Sequence, residues 1–374
     1  MDHRCNEHTG VALMSTGVGD GRKSFFHRGI RSAAAGGLMA SLLAACGSSA
    51  AAARAPATAK SGKVPAYSLQ ATWSAVGPTP HFTAVLPSAH KVFATNLGAG
   101  TVTVLSSSGK KLGQVHTGGT VHTVMVDRKN RMVYVTDIAR GYLDVINGAT
   151  NALTAQIHVA KHLHGLAVSN RLGLAVVTDV ALSKAYVVNI RTNKVLTPAG
   201  IAVGANPWGV AIDPKADLAF VANTGVDPFA SSPSLANNPA GDSVSVVNLR
   251  TDRVISTITV GPHPWNLVVG RSGTVYVGVV GTKRVAVIRS DKVVTDIPVP
   301  GTPHGIGYWR SRGLIFVNDT STNQTSVIQA SSAKVVQNIS VGSQPQGLSV
   351  NPANGKVYVA NQAAQTVSVL APKP

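Results

Sequence analysis

The chain has 374 residues, 44% hydrophobic and 13% charged, with only two cysteines and a net charge of +18. That composition excludes a disordered chain and a disulfide-stapled mini-domain, and leaves room for a sizeable core. The first 46 residues supply only +2 of the charge, so the remainder holds +16, a balance suited to anionic lipid heads, wall polymers or nucleic acid.

In chain order, GRKSFFHRG (Gly21–Gly29) is basic and leads into IRSAAAGGLMASLLAAC, a mildly apolar run ending at Cys46. The pair reads as an export signal, too short and too weak for a stable transmembrane helix. LAAC (Leu43–Cys46) resembles a bacterial lipobox, which implies that residues 1–46 are a signal peptide and that Cys46 is lipidated. Arg22-Lys23 with Phe25-Phe26 resembles a twin-arginine signal in which Lys23 stands where the second arginine belongs; an ordinary Sec signal is the alternative. Cys5 lies ahead of the signal, so the mature chain would have no thiol left to pair. Residues 47–66 are small, proline-containing and basic, and read as a flexible tether.

From Val76 onward one unit recurs: V-G-x-x-P-(H/W), an alternating run, a turn, V-(Y/F)-V-(T/A)-(N/D), a loop, T-V-x-V-(I/V/L), then K-V-x-x-x-I-x-V. Copies begin at Val76, Thr117, Val159, Val203, Val260, Val299 and Val341. Each offers four short period-2 strands and no helical periodicity, and a period near 40 residues with four strands describes a propeller blade. The last copy lacks an outer strand, whereas YSLQATW (Tyr67–Trp73) precedes the first copy as an orphan strand. The expectation is an all-β, seven-bladed β-propeller over residues 67–374, in which the N-terminal strand completes the last blade and covers its edge.

VFATN (Val92–Asn96), VYVTD (Val133–Asp137), AFVAN (Ala219–Asn223), IFVND (Ile315–Asp319) and VYVAN (Val357–Asn361) resemble the repeats of the YVTN family of β-propellers. They are also similar to the wider group that includes cytochrome d1-like and nitrous oxide reductase N-terminal propellers. The resemblance implies the fold; related propellers range from binding proteins to enzymes. VYVGV (Val275–Val279) departs from the pattern, having neither Asn nor Asp.

The position after the repeat proline reads His81, His122, His164, Trp208, Trp265, His304 and Gln346, a ring by pseudosymmetry on the face where propellers carry function. His162 and His263 share the entry loops, with His116 and His158 just upstream. Clustered imidazoles suit copper or zinc, with His81, His122, His164 and His304 as the candidate ligands. Strand parity argues otherwise: residues one and three places after the ring position are mostly small, as a crowded axis demands, so by strict parity the ring side chains point between blades, a rule that a proline-led loop need not obey.

The series Asn96, Asp137, Asp179, Asn223, Asp319 and Asn361 is expected to form Asx turns that satisfy loop N–H groups. A long insertion in the fourth blade, Gly225–Gly241, is a candidate lid over the channel mouth. No G-x-S-x-G, H-E-x-x-H, P-loop or C-x-x-C-H motif occurs. The expectation is an exported, lipid-anchored, monomeric propeller that binds an envelope protein, peptide or glycan at the channel mouth with no cofactor and no nucleic acid. The alternative is a metal-dependent or lactonase-like enzyme using histidines of the same face. For the positive charge, a diffuse solvated distribution is expected, because no basic run interleaved with aromatics appears.

Overall fold

The computed structural model describes residues 64–226 and 241–373; the signal, Cys46, nearly all of the tether and most of the blade-four insertion lie outside them. The repeats fold as seven antiparallel sheets arranged in a ring, with successive strands neighbouring one another in each sheet except at the closing N-terminal strand and the broken outer strand of the third blade. In the first blade the order from axis to rim is Pro80–Leu86, Lys91–Asn96, Thr101–Ser106 and Lys111–His116. Alternation within each strand gives two buried faces, because each sheet is sandwiched between two others. The aromatic residue in the middle of the second strand fills that interface: Phe93, Tyr134, Phe316 and Tyr358 are all at most 1% exposed.

The orphan strand closes the ring as expected. Tyr67–Trp73 pairs antiparallel with Thr366–Pro372 as the outermost strand of the seventh blade. The closure reaches beyond its own sheet, since Gln337 of the sixth blade accepts from Tyr67 N at 2.8 Å and donates to Tyr67 O at 2.6 Å. Tyr67 Oη also donates to Gly355 O at 3.0 Å, and its ring meets Phe316 edge-on at 5.0 Å.

Two features depart from a uniform repeat. The outer strand of the third blade is broken into Lys194–Val195 and Ile201–Ala202, both paired with Lys184–Asn189. Pro198 lies in the gap, where it has no N–H to offer a ladder. The second feature occurs in every blade: the innermost strand slips by one residue against the second strand directly at the ring position. In the first blade Pro80 faces Asn96 but Thr83 faces Ala94, so His81 and Phe82 share the single partner Thr95. The same shift recurs at His122, His164, Trp208, Trp265, His304 and Gln346.

Candidate functional site

That bulge corrects the parity expectation. An extra residue re-aims the side chains that follow it, and the ring residues converge on the axis instead of pointing between blades. Six rings form a closed circuit of contacts. His81 and His122 have centroids 4.3 Å apart, and the circuit continues through His122–His164 at 3.9 Å, His164–Trp208 at 4.7 Å and Trp208–Trp265 at 4.8 Å. Trp265–His304 at 4.9 Å and His304–His81 at 5.8 Å complete it, both edge-on.

A hydroxyl-based device holds the bulge in three blades. Thr95 Oγ1 accepts from Phe82 N at 3.0 Å and donates to His122 O of the next blade at 2.7 Å. Thr136 accepts from Thr123 N and donates to His164 O, each at 3.0 Å. Thr178 accepts from Gly165 N and donates to Trp208 O, each at 2.8 Å. The N–H freed by the bulge and the carbonyl of the next ring residue are thereby satisfied by one side chain. Asn318 makes the second of these bonds, donating to Gln346 O at 2.8 Å. Sequence reading missed these residues, although they are the T of ATN and of VTD and the N of VND, one place before the Asn/Asp series.

The ring is the floor of a cup of about 850 Å³. Its walls come from loops after the second strands (Leu97, Ile138, Ala139, Thr320, Ser321) and from entry loops (Thr120, His162, Gln344). A narrower space of about 70 Å³ follows the axis beneath the floor, and Phe82 lies along it. Phe82 occupies the room left by Gly347, where a Cβ would sit 2.2 Å from its ring. Glycine also lets the innermost strands close on each other: a Cβ on Gly209 would fall 2.4 Å from Trp265 O.

His81, His122, His164 and His304 are each at most 8% exposed. Burial lowers His81 to about 4, with the Gln362 side chain opposing it, and lowers His164 to about 3, with the His81 charge adding to the effect. His122 and His304 are driven well below the ordinary value by burial first and by neighbouring imidazoles second. All four are neutral at pH 7, so each carries one donor and one acceptor nitrogen. Nε2 of His81 and Nε2 of His122 make one hydrogen bond at 2.8 Å, and His122 Nδ1 bonds Thr123 Oγ1 at 3.0 Å. Among the described residues, Nδ1 of His304 and Nε1 of Trp265 are buried without a hydrogen-bond partner. Trp208 Nε1 donates to Val226 O at 3.2 Å, which ties the floor to the first residues of the blade-four insertion.

Of the other expected histidines, His162 reaches the cup wall. His263 is buried with Nδ1 3.1 Å from Thr224 O, while His116 and His158 are exposed at the ends of outer strands and do not line the cup. The Asn/Asp series divides by chemistry. Asp137 and Asp179 accept from entry-loop N–H groups, those of Thr120 and of Lys161 and His162, as an Asx role requires. Asn96, Asn223 and Asn361 instead donate to hydroxyl pairs on the third strand, such as Thr101 and Thr103. None of the series lines the cup.

No protein-family model matches the sequence, and no curated protein sequence does. Among solved structures the chain is similar to Kuenenia stuttgartiensis hydrazine synthase, at 14% identity and a TM-score of 0.68, with 80% of this chain and 97% of that one covered. A likeness at that identity is one of fold, and the fold it supports is the seven-bladed propeller.

Proposed function

We propose that this chain is an exported, lipid-anchored propeller of the YVTN type that serves the cell envelope as a binding module, with its ligand in the cup. One observation carries the reading: a cavity of about 850 Å³ floored by a circuit of six rings, with no Lys, Arg, Asp or Glu among the described residues that line it. Such a floor suits a neutral ligand with flat faces, a glycan or the aromatic side chain of a peptide. A charged ligand would find no counter-charge there. Hydrogen bonds from Gln346 and the imidazole edges would orient it.

The test is titration of tryptophan emission with neutral oligosaccharides and with Tyr- or Trp-containing peptides. Binding should perturb the emission, and Trp265→Ala should weaken it by about three- to tenfold through the lost ring stacking. Absence of any response at about 1 mM ligand, where contacts worth about 4 kcal/mol would register, removes the reading.

The imidazole pair favours a second reading, copper or zinc held by His81, His122, His164 and His304 in a metal-dependent or lactonase-like enzyme. Neutral imidazoles are the ligating form, and the His81 and His122 nitrogens at 2.8 Å are close enough to share one ion. The fit is incomplete: among the described residues no three His, Cys, Asp or Glu side chains converge as a ligand set, and no carboxylate lines the cup as a general base. About one copper or zinc per chain in protein purified without chelators, lost in His81→Ala, would establish this reading; substoichiometric metal would return the cup to neutral ligands.

A further inference from the structure

The positive charge is not diffuse. Because the strands of each blade alternate in direction, connections between first and second strands, and between third and fourth, lie on the face opposite the cup. Of the 25 lysines and arginines among the described residues, 20 sit in those connections or on the strand residues that border them, against five aspartates. The cup half holds the remaining five basic residues and six aspartates. The segregation is even around the disc, with three basic residues in each of the first six blades and two in the seventh. Arg128, Lys129 and Arg131 supply one such trio, all exposed.

Two further observations concern the same face. Among the described residues, six of the eight exposed large hydrophobics lie near the far-face end of the outer edge: Leu69, Leu112, Ile255, Val294 and Val336 are the second or third residue of an outermost strand, and Leu196 lies in the break of the third blade's outer strand. They form an apolar rim just outside the basic loops. The chain also enters the propeller there: Tyr67 pairs with Pro372 at the far-face end of its strand, and Lys373 N donates to Ala66 O at 2.7 Å.

We infer that the face opposite the cup is a docking surface for an anionic phospholipid bilayer, holding the cup open toward the aqueous side. An even carpet of cations spread over a disc matches a planar anionic surface, where each basic residue adds about fivefold in partitioning. A linear polyanion calls instead for a groove of charge interleaved with stacking aromatics, whereas an apolar rim beside the cations suits insertion at the lipid interface. This inference stands whether or not the cup binds a neutral ligand.

The experiment is sedimentation of the full chain with phosphatidylcholine vesicles, with and without phosphatidylglycerol, comparing two variants. One is Lys110→Gln, Lys129→Gln, Lys215→Gln, Arg312→Gln and Lys334→Gln combined, five exposed residues on the far face; the other is Lys161→Gln with Lys283→Gln on the cup face. Both keep the N-terminal region, so its own lipid affinity cancels, and far-ultraviolet circular dichroism checks that both fold. The wild type should prefer phosphatidylglycerol vesicles in a salt-sensitive way. The far-face variant should lose that preference more than a hundredfold, and the cup-face variant should change less than threefold. No preference in the wild type, or equal losses in the two variants, overturns the inference. Tighter binding to a short DNA duplex than to the vesicles at equal salt also overturns it, in favour of nucleic acid.

Discussion

The four buried imidazoles make acid the natural probe of the floor, and His81→Gln isolates one of them. Glutamine already occupies the equivalent position of the seventh blade as Gln346, 9% exposed, so the substitution has a precedent within the ring. His81 titrates at about 4 in the folded protein against an ordinary 6.5. A depressed value means that its contribution is intact above 6.5 and is lost as pH falls toward 4, because the unfolded chain takes up the proton first. Linkage then gives a loss of about 1.8 kcal/mol between pH 7 and pH 5 for this one group. The figure is insensitive to the native value: lowering it from 4 to 3 changes the loss by only about 0.1 kcal/mol, since the native ring is already almost unprotonated at pH 5. Asp144 and Asp319 work in the opposite direction. Burial raises both to about 6, so their contribution is full below 3.8 and is lost as pH rises through 6. Acidification from pH 7 to 5 therefore restores about 1.3 kcal/mol from each, equally in wild type and variant. Urea unfolding followed by circular dichroism at the two pH values gives the double difference, with exposed His90→Gln as control. The variant should lose about 1.8 kcal/mol less than the wild type on acidification. A double difference below about 0.5 kcal/mol would mean that the native ring accepts protons as readily as water-exposed imidazole, and the account of a buried, neutral floor would be wrong.

Two further substitutions test how the floor is supported. Thr178→Val preserves shape but leaves the buried Gly165 N–H and Trp208 carbonyl without their shared hydroxyl; urea unfolding should show a loss of about 2 to 4 kcal/mol. A loss under about 0.5 kcal/mol would show that water replaces it. Gly347→Ala drives a methyl to 2.2 Å from the Phe82 ring and should cost about 1 to 3 kcal/mol, most of which Phe82→Leu recovers. Additive losses in that double-mutant cycle would mean that the two residues do not share the axis.

Architecture was legible in the repeat because every blade repeats the same alternation and the same turn residues. The closing strand was legible by subtraction, as one strand too few at the C-terminus and one too many before Val76. The ring positions were legible by alignment of the copies, but the direction of their side chains was not. A bulge inserts one residue into one strand without altering the composition of either, so the period-2 rule carried past Pro80 assigns His81 to the wrong side. The threonines that hold the bulge stood in plain view inside the repeat motif, hidden by the stronger signal of the Asn or Asp that follows them. The charged face was hidden differently. Lys110, Lys129, Lys215 and Lys334 are far apart in the chain, and only the alternating direction of successive strands sorts them onto one side.

The ring accepts histidine, tryptophan and glutamine at equivalent positions because its geometry is held through backbone atoms. Thr95, Thr136, Thr178 and Asn318 each donate to the carbonyl of the next blade's ring residue, a group that every amino acid carries. A change of ring side chain therefore leaves the blade register and the bulge in place, while a change of the supporting hydroxyl disturbs both. The chemistry of the cup is separable from the stability of the scaffold at these positions. The residue following the ring lacks that freedom, because Phe82 in the first blade fills the axis that Gly347 in the seventh leaves open, and their volumes are coupled across the closure of the ring. Under the proposed binding role, ligand preference would therefore be altered by substitution at His81, His122, His164, Trp208, Trp265, His304 or Gln346, whereas a substitution one residue later is first a change in packing.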